Sequence, residues 1–261
     1  MNRVKNAFAP QWKNPCMNGR AFILIQFDMD TLTKQSHLLE IRSTLYGTVS
    51  ALFSDPESEK FAMLFTPKIQ GCVLDACFQI EELEHSEETA LSKSFQMLMS
   101  KLDEKKKENI RNEFVNVFGH TLSKQIAPYA LEHLKNSDVF FRTQKLADLN
   151  GFYKAFGMEV ESIERADHIS TQTEFLSFLL LKELLALTNE LDEEKEICET
   201  AFIDFNQNHF SDWVKMFAGN LADKVDGVFY SLAGKFLLTF IENEKKSLAQ
   251  ILLKDQECLK N

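Results

Sequence analysis

Apolar residues recur at three- and four-residue intervals along most of the chain, and this helical period is interrupted only by short polar stretches. The first run, TKQSHLLEIRSTLYGTVSALF, stops at SDPES, where a proline closes the turn. The period resumes in SEKFAMLFTPKIQGCVLDACFQIEELEH, which reads as a helical pair. Ser86 stands where it can cap EETALSKSFQMLMSKL, and Asp103 where it can cap EKKKENIRNEFVNVF, because a side-chain oxygen there accepts from first-turn amides. Residues 119–128 break the pattern and should turn the chain. RTQKLADLNGFYKAFGMEV follows, with Gly157 where a helix end calls for a left-handed residue. From Asp167 the expected helices lengthen, over about 167–188, 190–206, 208–222 and from near 225 into the 250s. No repeat of fixed period is present. The pattern predicts an all-α protein, a single compact helical-bundle domain of about ten helices over 36–261, preceded by an extension, 1–35, without an assigned role.

Composition supports that picture. Only 9 Gly and 5 Pro occur in 261 residues, so few positions break helices, and 44% apolar with 26% charged residues is the balance of an ordinary globular chain. A formal charge of -10 argues against a nucleic-acid partner and is compatible with a cationic one. Five cysteines without a CxxC pair read as reduced thiols, which predicts a cytoplasmic protein. Neither AFILIQF nor the stretch from Val228 to Ile241, which contains Lys235, is long enough to cross a bilayer. The clusters EELEHSEE and DEKKKE read as solvated helix ends.

A helical bundle can host metal chemistry, and a di-iron carboxylate site needs two Glu-x-x-His pairs. Glu82 and His85 make one such pair, while His37, His120, His133, His168 and His209 have no Glu three residues before them. Phosphate-cradling glycine loops, HExxH and GxSxG are absent from the sequence, so neither a metal nor another cofactor is expected, and nothing asks for an enzyme.

Three stretches do ask for an explanation. In FIDFNQNHFSDWVKMF, His209, Trp213 and Phe217 recur at four-residue intervals, which puts them on one helix face next to Phe202 and Phe205. Such a stripe reads as core, with the ring N–H groups of His209 and Trp213 requiring partners. In APYALEH, Pro128 fixes the backbone while Tyr129 and His133 lie in or just after an irregular connection, where binding groups are common. In ADHISTQTEFLSFLL, Asp167 reads as the N-cap of the following helix, which leaves His168 without a role and, by its ordinary pKa, titrating near neutral pH.

Taken in order, RSTLYGTVSALFSDPES, EFVNVFG, APYALEHL, GFYKAFGM, ERADHISTQTEFL, HFSDWVKMF and FYSLAGKFL resemble the TorD/DmsD/NarJ family of redox-enzyme maturation chaperones over about 38–245. The conjunction of seven short motifs is more specific than any one of them. The resemblance implies a cytoplasmic, all-helical, non-enzymatic chaperone. Its partners would be the twin-arginine signal peptide and apo catalytic subunit of a molybdenum-containing oxidoreductase, which it holds back from export until the cofactor is inserted. It implies client-binding roles for Asp167 and His168, and for Pro128 and Tyr129, which match the family's Pro-Pro-aromatic segment, with His133 where that segment has a second aromatic. Three departures alter the same region: Gln172 replaces an acidic residue, leaving Glu174 as the acidic group, Arg165-Ala166 stand where relatives have a proline, and Ala130 and Leu131 replace the small residue and Ser of the Pro-aromatic segment. Arg42 and Tyr46 in the first motif are assigned to structure, together with His209, Trp213 and Phe217. A receptor for a cationic, partly apolar signal needs carboxylates beside adaptable apolar side chains, and an acidic chain with 23 Phe and 8 Met can supply both. No nucleic acid and no stable membrane insertion are implied, and the chain is expected as a monomer or domain-swapped homodimer. A helical adaptor without a peptide site remains an alternative, as does a nucleotide-dependent switch, against which the missing glycine loop argues.

Overall fold

A computed structural model describes residues 34–83, 90–119, 126–134, 138–160, 164–224 and 228–258, and among these the regular structure is helical, without a named strand. The α-helices are α1 (Lys34–Leu52), α2 (Glu59–Ala62), α3 (Pro67–Leu83), α4 (Ala90–Met99), α5 (Lys107–Phe118), α6 (Val139–Ala155), α7 (Ile169–Thr188), α8 (Asp192–Phe205), α9 (Ser211–Lys224) and α10 (Val228–Cys258). The all-α bundle expected from periodicity is therefore the fold. Residues 1–33 of the extension expected over 1–35, together with Ser86 and His85 of the Glu82–His85 pair, lie outside the described residues, while Lys34 and Gln35 already belong to α1.

The centre of the bundle is the antiparallel pair α1 and α7. Two serine crossings bring them together: Ser50 Oγ donates to Ser170 O and Ser170 Oγ to Ser50 O, each at 2.8 Å, and seven residues further along Ser177 Oγ donates to Ser43 O at 2.8 Å. Small hydroxyl side chains let the backbones approach closely while the hydroxyls of Ser50, Ser170 and Ser177 each find a partner across the contact. Helix α7 is buried on nearly every side, with Phe175, Leu176, Leu179 and Leu180 fully enclosed, so its place is inside the bundle and not on its face. Helix α8 packs on α7, and α9 and α10 form a second antiparallel pair. Helices α4 and α5 lie against α10, and α3 bridges α1 and α4.

Several helix starts are capped from a distance. Glu81 Oε1 on α3 accepts from Leu91 N and Ser92 N at 2.7 and 3.1 Å, and the Glu113 carboxylate on α5 accepts from Phe229 N and Tyr230 N at 3.2 and 2.7 Å. A carboxylate there meets both the free amides and the positive end of the helix dipole. Asp103 caps as the sequence predicts, its carboxylate accepting from Lys105 N at 3.0 Å, although a single 3-10 turn precedes α5. Gly157 has the left-handed φ of 80° expected after α6. The predicted break between helices near 207 is instead a π-turn, Asn206–Phe210, that joins α8 to α9 without a loop.

One buried charge pair locks the outer layer to the centre. Arg42 of α1 donates from its guanidinium to both carboxylate oxygens of Glu244 on α10 at 2.9 Å, with both side chains at 3% exposure or less. Tyr46 Oη donates to Glu244 at 3.0 Å and accepts from Asn206 of the π-turn at 3.4 Å. The Arg42 guanidinium also lies 4.7 Å from the Phe202 ring centre. Burial works against the Arg42 charge, but the adjacent Glu244 carboxylate outweighs it and holds the guanidinium above its ordinary pKa.

Candidate functional site

The irregular APYALEH segment and the start of α7, about 40 residues apart in sequence, cross each other. Tyr129 and His168 form an isolated antiparallel bridge, in which Ile169 N donates to Pro128 O at 2.8 Å and Ala130 N to Asp167 O at 2.9 Å. Pro128 has no amide to lose, so it presents only the acceptor this bridge uses. The residues following the bridge, Ala130–His133, form one 3-10 turn.

Asp167 does not cap α7. The cap is His168, whose Nδ1 accepts from Ser170 N at 3.2 Å, and the Asp167 side chain points the other way, accepting from Leu131 N at 3.0 Å and from Arg165 Nε and Nη2 at 2.9 Å each. An Asp and a His in succession at a helix start thus divide the work: one pins the incoming segment, the other closes the helix. Cap sequence statistics favour Asp, and the crossing segment overrides them because Leu131 N and Arg165 need the carboxylate more than an amide at a helix end that His168 can already serve. The expectation that His168 titrates near neutral pH is also corrected. Burial, with Lys60 and Arg165 as nearby cations, pushes its pKa down to about 3. Although Glu164 Oε2 lies 3.4 Å from Nδ1, the ring is held neutral, because a 3%-exposed imidazolium would lose more hydration than one carboxylate on the rim returns. With Nδ1 accepting, the proton resides on Nε2.

Arg165 organises the outer side. Its guanidinium lies 4.5 Å from the Tyr129 ring centre and 3.6 Å from Glu132, which is also 3.3 Å from Arg142 at the start of α6. The Tyr129 ring meets the His168 ring edge to face at 5.1 Å between centres. Tyr153 of α6 fixes the loop from below by donating to Ala166 O at 2.6 Å, and burial raises its phenol well above the usual pKa. Glu174, one turn into α7, pairs with Lys60 at 2.6 Å, and Lys60 donates in addition to Ser50 Oγ at 3.1 Å.

On the inner side His133 Nε2 lies 2.8 Å from Ala127 O, and its ring stacks on Trp213 at 5.4 Å and meets Phe217 at 6.0 Å. Burial lowers the His133 pKa. Trp213 Nε1 donates to Gln172 Oε1 at 3.0 Å and to His209 O at 3.1 Å, so the indole N–H has the partners its burial requires. Trp213 and Phe217 are buried, and His209 is half-buried against Phe152 and Phe205 at 5.5 and 5.3 Å. The π-turn changes the register, so His209 and Trp213 face different ring clusters instead of forming the continuous stripe that four-residue spacing predicts. The Gln172 amide Nε2 is buried without a partner among the described residues.

All seven sequence-predicted site residues thus fall in one connected region, though not with equal access. Asp167 and Gln172 are fully buried and His168 is 3% exposed, whereas Tyr129, His133 and Glu174 are half-buried. Sequence reasoning overlooked Lys60 and Glu132 and passed over Glu164, whose burial raises its carboxyl pKa. The signal available for Arg165 was the Arg-x-Asp spacing, which a tight turn converts into a two-pronged ion pair. Among the described residues no group of three or more His, Cys, Asp or Glu converges as a metal site, and no single helix is long and apolar enough to cross a membrane.

Among the described residues, an all-helical bundle thus brings aromatic and carboxylate groups together at one polar crossing. The family model described as nitrate reductase delta subunit matches residues 84–219, and the chain belongs to that family of molybdoenzyme maturation chaperones. The match spans just over half of the sequence and includes the whole crossing. Among curated proteins none matches the chain.

Proposed function

We propose that the chain binds the twin-arginine signal peptide and apo catalytic subunit of a molybdenum-containing oxidoreductase in the cytoplasm and assists cofactor insertion before export. The observation that supports this reading is the crossing of Pro128–His133 with Asp167–Glu174. It builds a rim of carboxylates, Glu132, Glu164 and Glu174, beside the half-buried Tyr129, on a framework held by buried hydrogen bonds. A cationic peptide head needs such a rim, and a stiff framework lets it bind without first ordering the loop. In this reading Asp167, His168 and Pro128 position the segment, while Tyr129, Glu132, Glu164 and Glu174 face the client.

The test is calorimetric titration of a synthetic twin-arginine peptide into wild type, Glu132→Gln and Glu174→Gln, with thermal melts in parallel. Each substitution removes one partly exposed carboxylate and should weaken binding by about 1 kcal/mol, roughly fivefold, with little change in melting temperature. Absence of peptide binding by the folded wild type, or equal affinity in all three proteins, overturns the reading.

A further inference from the structure

Building on that reading, we propose that residues 3–27 of this chain act as a built-in competitor for the client surface. This stretch carries Arg3, Lys5, Lys13 and Arg20 with no acidic residue, and it ends in the apolar run AFILIQF. The order, a cationic part followed by an apolar part, is that of the client class proposed above. All 39 acidic residues lie in the rest of the chain, against 25 basic ones, so the extension and the bundle are electrostatically complementary.

The surface that fits it adjoins the crossing. At the start of α6, Val139 and Phe140 are 76% and 77% exposed, and the only residues of α6 buried in the bundle are Leu149 and Tyr153. Two residues on, Arg142 reaches Glu132 through hydrogen bonds of 3.3 and 3.4 Å, and its Nε is buried without a partner among the described residues. An apolar knob and an ion pair long enough to be exchanged for an incoming guanidinium therefore lie together. The reach is sufficient. Ser50 faces Ser170, so Lys34 begins at the opposite end of α1, about 24 Å from the crossing at 1.5 Å per residue. Fourteen residues from Lys34 back to Arg20 span up to about 46 Å when extended.

If the segment occupies the surface about nine-tenths of the time, the client's apparent affinity falls about tenfold. The experiment compares full-length wild type with the full-length variant Arg3→Ser, Lys5→Ser, Lys13→Ser, Arg20→Ser, Ile23→Ser, Ile25→Ser, using two readouts. Calorimetry with the synthetic twin-arginine peptide should show about tenfold tighter binding to the variant. Hydrogen exchange at amides 139–143 should be slower in wild type, and addition of a synthetic peptide of residues 1–27 should restore the slowing in the variant. Equal exchange in the two proteins overturns the proposal, even where the client peptide binds. Slowing that grows with protein concentration also overturns it, by assigning the face to a second copy. Slowing that is independent of concentration, with no binding of the twin-arginine peptide to either protein, upholds docking of the extension and overturns the client reading on which its competitive role rests.

Discussion

At the residue scale the instructive side chain is His168, which a sequence reading leaves idle beside a supposed cap. Its Nδ1 is the cap, and burial among cations pushes its pKa down to about 3 from an ordinary 6.5. The sign follows directly: above pH 6.5 the ring is neutral in both folded and unfolded chains, and below it only the unfolded chain takes the proton. Stability contributed by His168 is therefore complete above pH 6.5 and is lost as pH falls toward 3, by up to about 1.4 kcal/mol per pH unit. Asn caps a helix well and does not titrate, so His168→Asn should melt with a shallower acid limb than wild type, the two curves converging or crossing between about pH 4 and 6. Parallel limbs measured by pH-dependent chemical denaturation would show that the ring is not held neutral.

Among elements, the decisive arrangements are close approaches. Gly234 of α10 faces α9 so tightly that a methyl group there would stand 2.8 Å from Ala222 N and 3.0 Å from Leu221 Cβ. The obstacle is backbone and cannot rotate away, so the helices must separate. Gly234→Ala should cost about 1–3 kcal/mol, read from urea denaturation, despite Ala being the better helix former. A neutral or stabilising result would mean that α9 and α10 slide freely past each other. The same scale explains the missed register at His209: the five residues Asn206–Phe210 wind as a π-turn, and side-chain spacing alone does not reveal where a helix is wound wider.

For the whole molecule, the Arg42–Glu244 pair joins residues 202 apart in sequence and draws in Tyr46 and Asn206. Glu244→Gln keeps the shape but leaves the buried Arg42 charge without its carboxylate, and should lower stability by about 3–5 kcal/mol. Thermal and denaturant unfolding should shift together as one cooperative transition if the pair ties α10 to α1, whereas early loss of α10 alone would show that it does not. The family match over residues 84–219 includes α7, α8 and the first part of α9 but leaves out both partners of this pair. Arg42 stands out in the sequence through the motif it belongs to. Glu244 does not, since within ENEKK it has the look of solvated charge.

The sequence by itself determined the all-α class, most helix positions, the left-handed turn at Gly157 and the two segments that form the candidate site, because periodicity, caps and short motifs are local properties of the chain. Tertiary structure alone decided what each polar group does there. Whether Asp167 caps a helix or pins a neighbouring segment depends on Leu131 and Arg165 arriving beside it, and whether His168 carries a charge depends on how much water the fold leaves around it. Hydrogen-bond partners and desolvation are set by residues far away in sequence, and neither leaves a mark on the spacing of apolar positions.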